Sequence, residues 1–132
     1  MLNVMSAALS GLSASAMRLE AVANNIANKD SRGGLPSAGA EIAQQPYKPV
    51  QVESASLASG GVSAGLRSTT PAYLAVYDPQ ASYADGQGLA GAPNVDPLRE
   101  TTNGIEASAS FKANAKTVQA IDDLVRKLYD LV

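Results

Sequence analysis

The glycines and carboxylates between Asp78 and Asp96 are where this chain could first do chemistry. Gly86-Gln87-Gly88-Leu89-Ala90-Gly91 spells the G-x-G-x-x-G string with which a nucleotide-binding loop cradles a pyrophosphate. That use requires a strand immediately before the string and a helix opening after it. No strand signal immediately precedes it, and Pro93 stands where the helix should begin. Asp78, Asp85 and Asp96 offer hard oxygens to a cation, but their spacing matches no calcium loop, and turn and cap duties account for them better. Serines and lysines are plentiful, yet no Ser-x-x-Lys pair has a hydrolytic context. With no Cys, His or Trp, the chain lacks thiol nucleophiles, imidazole acid–base catalysis, disulfides and almost every zinc site. The expectation is a protein that is not an enzyme and has no catalytic, cofactor-binding or metal site.

What the sequence does carry is apolar periodicity at both ends. Leu2, Met5, Leu9, Leu12, Ala16, Leu19, Ala23 and Ile26 follow a 3-4-3-4 spacing, the seam of a heptad helix. Phe111, Asn114, Val118, Ile121, Val125, Leu128 and Val132 repeat the pattern at the other end, with Leu124 and Leu131 widening it, so the second half of that helix is expected to be firmly held. Asp96 is a good N-cap and Pro97 suits the first helical position, where its missing N–H costs nothing. Helices over 1–28 and 97–132 would run about 40 and 50 Å at 1.5 Å per residue. A compact 132-residue chain is only roughly 36 Å across. The helices overshoot any globule the chain could form.

Charge sharpens this reading. The first helix carries only Arg18 and Glu20, and its other surface positions are mostly Ala, Ser, Asn and Gly. Such a helix has no well-solvated face and suits packing on several sides. The second helix carries Lys112, Lys116, Asp122, Asp123, Arg126 and Lys127 off its seam, a solvated pattern. A net charge of −2 gives no argument for nucleic acid. No charged start followed by an apolar run marks a cleaved secretory signal, and no run is long enough to span a bilayer, so export would use another route.

Residues 29–96 are broken by Gly33, Gly34, Pro36, Gly39, Pro46, Pro49, Gly60, Gly61, Gly65 and Pro71, which excludes a long helix. Strands are expected at Tyr47–Val52 and Tyr73–Tyr77, with Gly61–Leu66 a third, and 31–45 as a mobile loop. The fold class is then α+β. Helices 1–28 and 97–132 pair as an antiparallel coiled coil forming a discontinuous core domain, and 29–96 is a small irregular β insert.

Specific residues carry a resemblance. Ala23-Asn24-Asn25-Ile26-Ala27-Asn28, closing the first helix, is similar to the signature of the rod, hook and hook-associated proteins of the bacterial flagellum. Pro46-Tyr47-Lys48, Tyr77-Asp78-Pro79 with Ala84-Asp85 and Gly88, Pro93-Asn94-Val95-Asp96, and Ser108-Ala109-Ser110-Phe111-Lys112-Ala113-Asn114 narrow it to the basal-body rod family, in its proximal part. Lys29-Asp30-Ser31-Arg32-Gly33 departs from the family's Thr-x-Gly-aromatic continuation. The resemblance implies a non-catalytic structural subunit of the basal-body rod crossing the periplasm, exported through the flagellar type III apparatus without signal cleavage. It implies other rod subunits and copies of itself as partners, with the membrane ring and export-gate base below, and neither nucleic acid nor a small-molecule substrate. A soluble coiled-coil adaptor or export chaperone is the alternative that periodicity leaves open. In the rod reading the seam residues are the assembly surface, Asn114 is placed to fix register, and Asn25 and Asn28 terminate the helix.

Overall fold

The structure is a computed structural model that describes residues 2–36 and 44–131 of the chain. Helix α1 (Leu2–Ala27) is followed by strands β1 (Val50–Ser56), β2 (Val62–Ser68), β3 (Tyr73–Tyr77) and β4 (Leu89–Pro93), and helix α2 (Pro97–Tyr129) closes the order. The helices hold 26 and 33 residues, about 39 and 50 Å of rod. They pack against each other, Gly11 under the Asn114 side chain and Gly104 under Val22. The small β region between them in sequence consists of two antiparallel pairs, β1 with β2 and β3 with β4.

Local chemistry explains where each element starts and stops. The Asp96 carboxylate accepts the Leu98 and Arg99 amides at 3.0 and 3.3 Å, and Pro97 opens α2, as the cap residues predicted. At the end of α1, the backbone N–H and side-chain amide of Asn28 both donate to the Asn24 carbonyl, at 3.1 and 2.9 Å, closing the last turn. The β1–β2 hairpin turns through Gly60 and Gly61, both left-handed at φ 90° and 88°, which only glycine adopts without strain.

The strands differ from expectation in extent and number. β1 begins three residues later than expected and runs to Ser56, while β2 covers Val62–Ser68. β4 was not expected, because Leu89-Ala90-Gly91-Ala92-Pro93 has no β-branched residue and ends in proline. Its small residues are its qualification: Ala90 is fully buried, and Gly91 lets the 33–34 backbone and the Pro46 ring close in. Gly33 and Gly91 exchange backbone hydrogen bonds of 3.1 and 2.8 Å. The segment expected to be a loop is thus fastened at both flanks, also by the Gly34 amide to the Gln44 carbonyl at 2.8 Å, and its central residues 37–43 lie outside the described residues.

Among the described residues the buried apolar core consists of Ala8, Ala14, Ala21, Ala90 and Ala107, with the prolines Pro46, Pro49 and Pro93 buried in the β region. Large apolar side chains are half-buried or exposed. Close approach of small residues therefore sets the helix packing, and the bulky residues remain for other contacts.

Candidate assembly site

Asn25, third residue of the Ala23–Asn28 motif, does not terminate α1. It is 2% exposed and projects sideways, where its Nδ2 donates to the Val50 carbonyl at 2.8 Å and its Oδ1 accepts from the Val50 amide and the Tyr47 hydroxyl, each at 3.1 Å. The carboxamide thus serves Val50 as a neighbouring strand would, taking both backbone groups of one residue at the edge of β1. Helix termination is left to Asn28. A capping reading fails for Asn25 because its side chain finds long-range partners while the turn above it is still helical.

Two more polar side chains of α1 extend this junction into a row. Arg18 Nη2 donates to Ser54 Oγ at 2.7 Å, and Ser10 Oγ accepts from the Val62 amide at 3.1 Å while donating to the Ala7 carbonyl at 2.8 Å. Ser10, Arg18 and Asn25 stand eight and seven residues apart, so the hairpin lies along α1 and is held at its start, middle and return. Gly61 seals the return, since a Cβ there would sit 2.5 Å from Ser10 Oγ and 3.2 Å from the Ala7 Cα. None of these three roles follows from apolar periodicity. The available signal was Arg18, the sole cation in a helix otherwise nearly free of charge.

Glu100, in the first turn of α2, approaches the same junction. Burial, the larger influence, raises its carboxyl above the usual carboxylate range; hydrogen bonding with Asn25 and Asn103 and the Arg99 charge pull it back, and Asp96 adds to the rise. The Tyr47 hydroxyl is raised likewise, by burial first and by Glu100 second.

The seam residues divide unevenly. On α1 the buried residues Ala8, Ala14, Ser15, Ala21 and Asn25 form the inward face, and the seam lies roughly a third of a turn away at 100° per residue. Leu9 is 51% exposed and Ile26 borders exposure, while Met5, Leu12 and Leu19 are half-buried. The Leu2 side chain lies outside the described residues. On α2, Asn114, Val118, Ile121 and Val125 are half-buried on the face that Asn114 presents to α1, Phe111 and Leu128 are exposed, and Val132 lies outside the described residues. Asn114 Nδ2 donates to the Ser110 carbonyl at 2.9 Å, within its own helix. The expectation that the second half of α2 is firmly held is met only as far as Val125: beyond the half-buried Val118, Ile121 and Val125, Tyr129 and Leu131 are 78% and 82% exposed, since α2 is the longer helix and outruns α1.

The remaining motif residues are structural. Asn94 Nδ2 donates to the Pro71 carbonyl at 2.8 Å and its backbone amide to Ala72, tying β4 to the start of β3 just before Val95 and Asp96 lead into α2. Asp85 Oδ1 accepts the Gln87 and Leu89 amides at 2.8 and 2.9 Å, and Gly88 turns at φ 76° against the Tyr77 ring and Pro79. The G-x-G-x-x-G string is a turn running into β4. Ala23, Asn24 and Ala27 lie on the exposed side of α1, and Pro93 is buried. Among the described residues no group of three or more Asp or Glu is placed to hold a metal ion, and no helix is long and apolar enough to cross a membrane.

Comparison with known proteins gives the family. Residues 5–33 match the family described as flagella basal body rod protein, and residues 87–131 match the C-terminal region of the flagellar basal body rod FlgEFG proteins. The chain is 34% identical to the flagellar basal-body rod protein FlgC of Escherichia coli O6:H1 over 99% of this chain and 97% of the relative, with the same figures for FlgC of Salmonella typhimurium. FlgC of Agrobacterium fabrum is 31% identical over 93% of this chain and 88% of its own length.

Proposed function

The chain belongs to the flagellar basal-body rod protein family, FlgC-like along nearly its whole length, and from that premise we propose how its surfaces build a rod. It is a structural rod subunit. The adaptor or chaperone reading is not favoured, because the relatives that match end to end are named rod proteins.

The α1–α2 pair is the inner, assembly-forming domain, residues 1–28 with 97–132, and the β region of 29–96 is the outer one. Contacts of Gly11 with Asn114 and of Val22 with Gly104 support an antiparallel coiled-coil pairing, since they step back along α2 as they advance along α1. One observation carries the mechanism: α1 is covered by small-residue contacts with α2 and the hairpin, yet keeps its Met5–Ile26 seam turned away from its buried face. Seam side chains from neighbouring subunits bury one another there, at about 1.5 to 3 kcal/mol for each large side chain fully removed from water. A head-to-tail contact that does not close produces a helical tube, the geometry for a shaft that transmits torque and encloses an export channel. The seam side chains of such a subunit lack partners before assembly and order on packing, and a chain held by small-residue contacts suits export through the flagellar type III apparatus without signal cleavage. The membrane ring and export-gate base are the proposed partners at the foot of the rod.

The test is quantitative mass spectrometry of detergent-washed hook-basal bodies, scaling this chain to a hook subunit. Retention of the wild type and loss of Leu12→Asp or Ile121→Asp support the reading, since either variant would bury an unpaired charge at the seam. Absence of the wild type from the washed structure, with the protein recovered in the cytosol, overturns it.

A further inference from the structure

The edge of β1 is filled only at Val50. Hydrogen bonds of the β1–β2 ladder fall at Thr69 N–H to Pro49 carbonyl, 2.9 Å, and Leu57 N–H to Gly61 carbonyl, 3.0 Å, both in register with the Val50–Ser68 pairing. Ladder bonds alternate along an antiparallel pair, so Val50, Val52 and Ser54 turn their N–H and C=O groups away from β2. Val50 spends both on Asn25. Val52 and Ser54 make no backbone hydrogen bond on that edge among the described residues. An open edge is normally blunted by proline, lysine or a bulge, and neither of these two positions has one.

This edge borders a groove of about 270 Å³ between α1 and the first half of α2. Its walls bring Arg18 from α1 and Arg99, Glu100 and Glu106 from α2, and none of the four forms an ion pair among the described residues. Val22 and Val52 supply an apolar floor. Unsatisfied backbone groups along one side and unpaired charges of both signs along the other define the chemistry of what fits: extended backbone with a basic and an acidic side chain.

We propose that the β1 edge at Val52 and Ser54 accepts an extended segment of a neighbouring protein chain as an added strand, the Asn25 carboxamide marking where that strand must end. The added strand pairs through its backbone, sets a basic side chain against Glu100 and Glu106, and sets an acidic one against Arg18 and Arg99. The neighbour is taken to be another subunit of the rod, so this inference rests on the rod reading.

Val52→Pro removes the outward N–H without touching the β1–β2 ladder, and Leu66→Pro does the same on the far edge of β2, opposite Val52 in the register. With full-length variants in cells lacking the native chain, Val52→Pro should fall about tenfold or more in washed basal bodies, with Leu66→Pro near wild type. Equal retention of both variants overturns the proposal. Circular dichroism of each purified variant checks folding; should Val52→Pro unfold, the charge-reversed pair Arg99→Glu with Glu106→Lys decides by the same tenfold criterion. Failure of the rod reading would show differently, as absence of the wild type itself. Amide exchange then decides in solution with a synthetic strand of alternating valine, lysine and glutamate as probe: slowing at Val52 and Ser54 by about tenfold supports the added strand, and unchanged exchange overturns it.

Discussion

Where α1 ends and α2 begins, Asn25, Tyr47 and Val50 satisfy one another's polar groups within a few ångströms, hydrogen bonds tie α1 to β1, and Glu100 of α2 approaches the same junction. At the opposite end, where α1 begins and α2 finishes, Val4, Leu124, Leu128, Tyr129 and Leu131 are exposed and no comparable cluster is present among the described residues. Hydrogen bonds to fixed partners define one geometry, whereas apolar area is indifferent to which partner covers it. The polar end specifies the subunit and the apolar end leaves it incomplete.

Substitutions in the two regions should therefore separate folding from assembly. The largest effect is expected for Leu9→Asp on the exposed stripe: incorporation into basal bodies is lost, while the unfolding free energy of the isolated chain moves by no more than about 0.5 kcal/mol, as for other surface positions. A similar loss of stability and incorporation together would break the comparison. Next, Asn25→Ala strips Val50 and Tyr47 of their partners and should cost about 2 to 4 kcal/mol in urea unfolding of the purified protein, given about 1 to 3 kcal/mol per unsatisfied buried group. Gly11→Ala, between the two regions, places a Cβ 2.7 Å from Asn114 Oδ1. Overpacking of about 1 to 3 kcal/mol then outweighs a helix-propensity gain of about 1, and in an Asn114→Ala background the sign should reverse, which a double-mutant cycle reads directly.

The smallest expected effect is on pH dependence. Glu100 holds its proton more tightly folded than unfolded, so its contribution favours folding at pH below its unfolded value and is lost as pH rises through its folded value. Glu100→Gln should flatten that part of the stability profile just above the usual carboxylate range, and thermal unfolding across mildly acidic pH measures it. An unchanged slope would remove Glu100 from the polar junction.

Legibility in the sequence followed the same division. Both helices, the Asp96–Pro97 start of α2 and the β3 strand were readable because local rules govern them: heptad spacing, capping geometry and the β-prone residues Tyr73, Val76 and Tyr77. The inward face of α1 was not, because periodicity weighs large side chains and this face is built from Ala8, Ala14, Ser15 and Ala21. β4 escaped for the same reason, as its residues matter for how little space they take. Asn25 looked like a helix terminator because its partners, Tyr47 and Val50, lie more than twenty residues away, and no short window contains that pairing. The seam as an assembly surface remains the proposal set out above.

The row of Ser10, Arg18 and Asn25 also acts as a ruler. Between Arg18 and Asn25 seven helical residues advance about 11 Å, and the four residues from Val50 to Ser54 advance about 13 Å, so helix and strand share nearly the same pitch of fastening there. Inserting one residue between Arg18 and Asn25 would swing the fastenings out of line by about 100°, whereas a seven-residue insertion would nearly restore their bearing. Length variation in this helix is thereby quantised, and the hairpin must turn wherever the helix turns, like a key on a shaft.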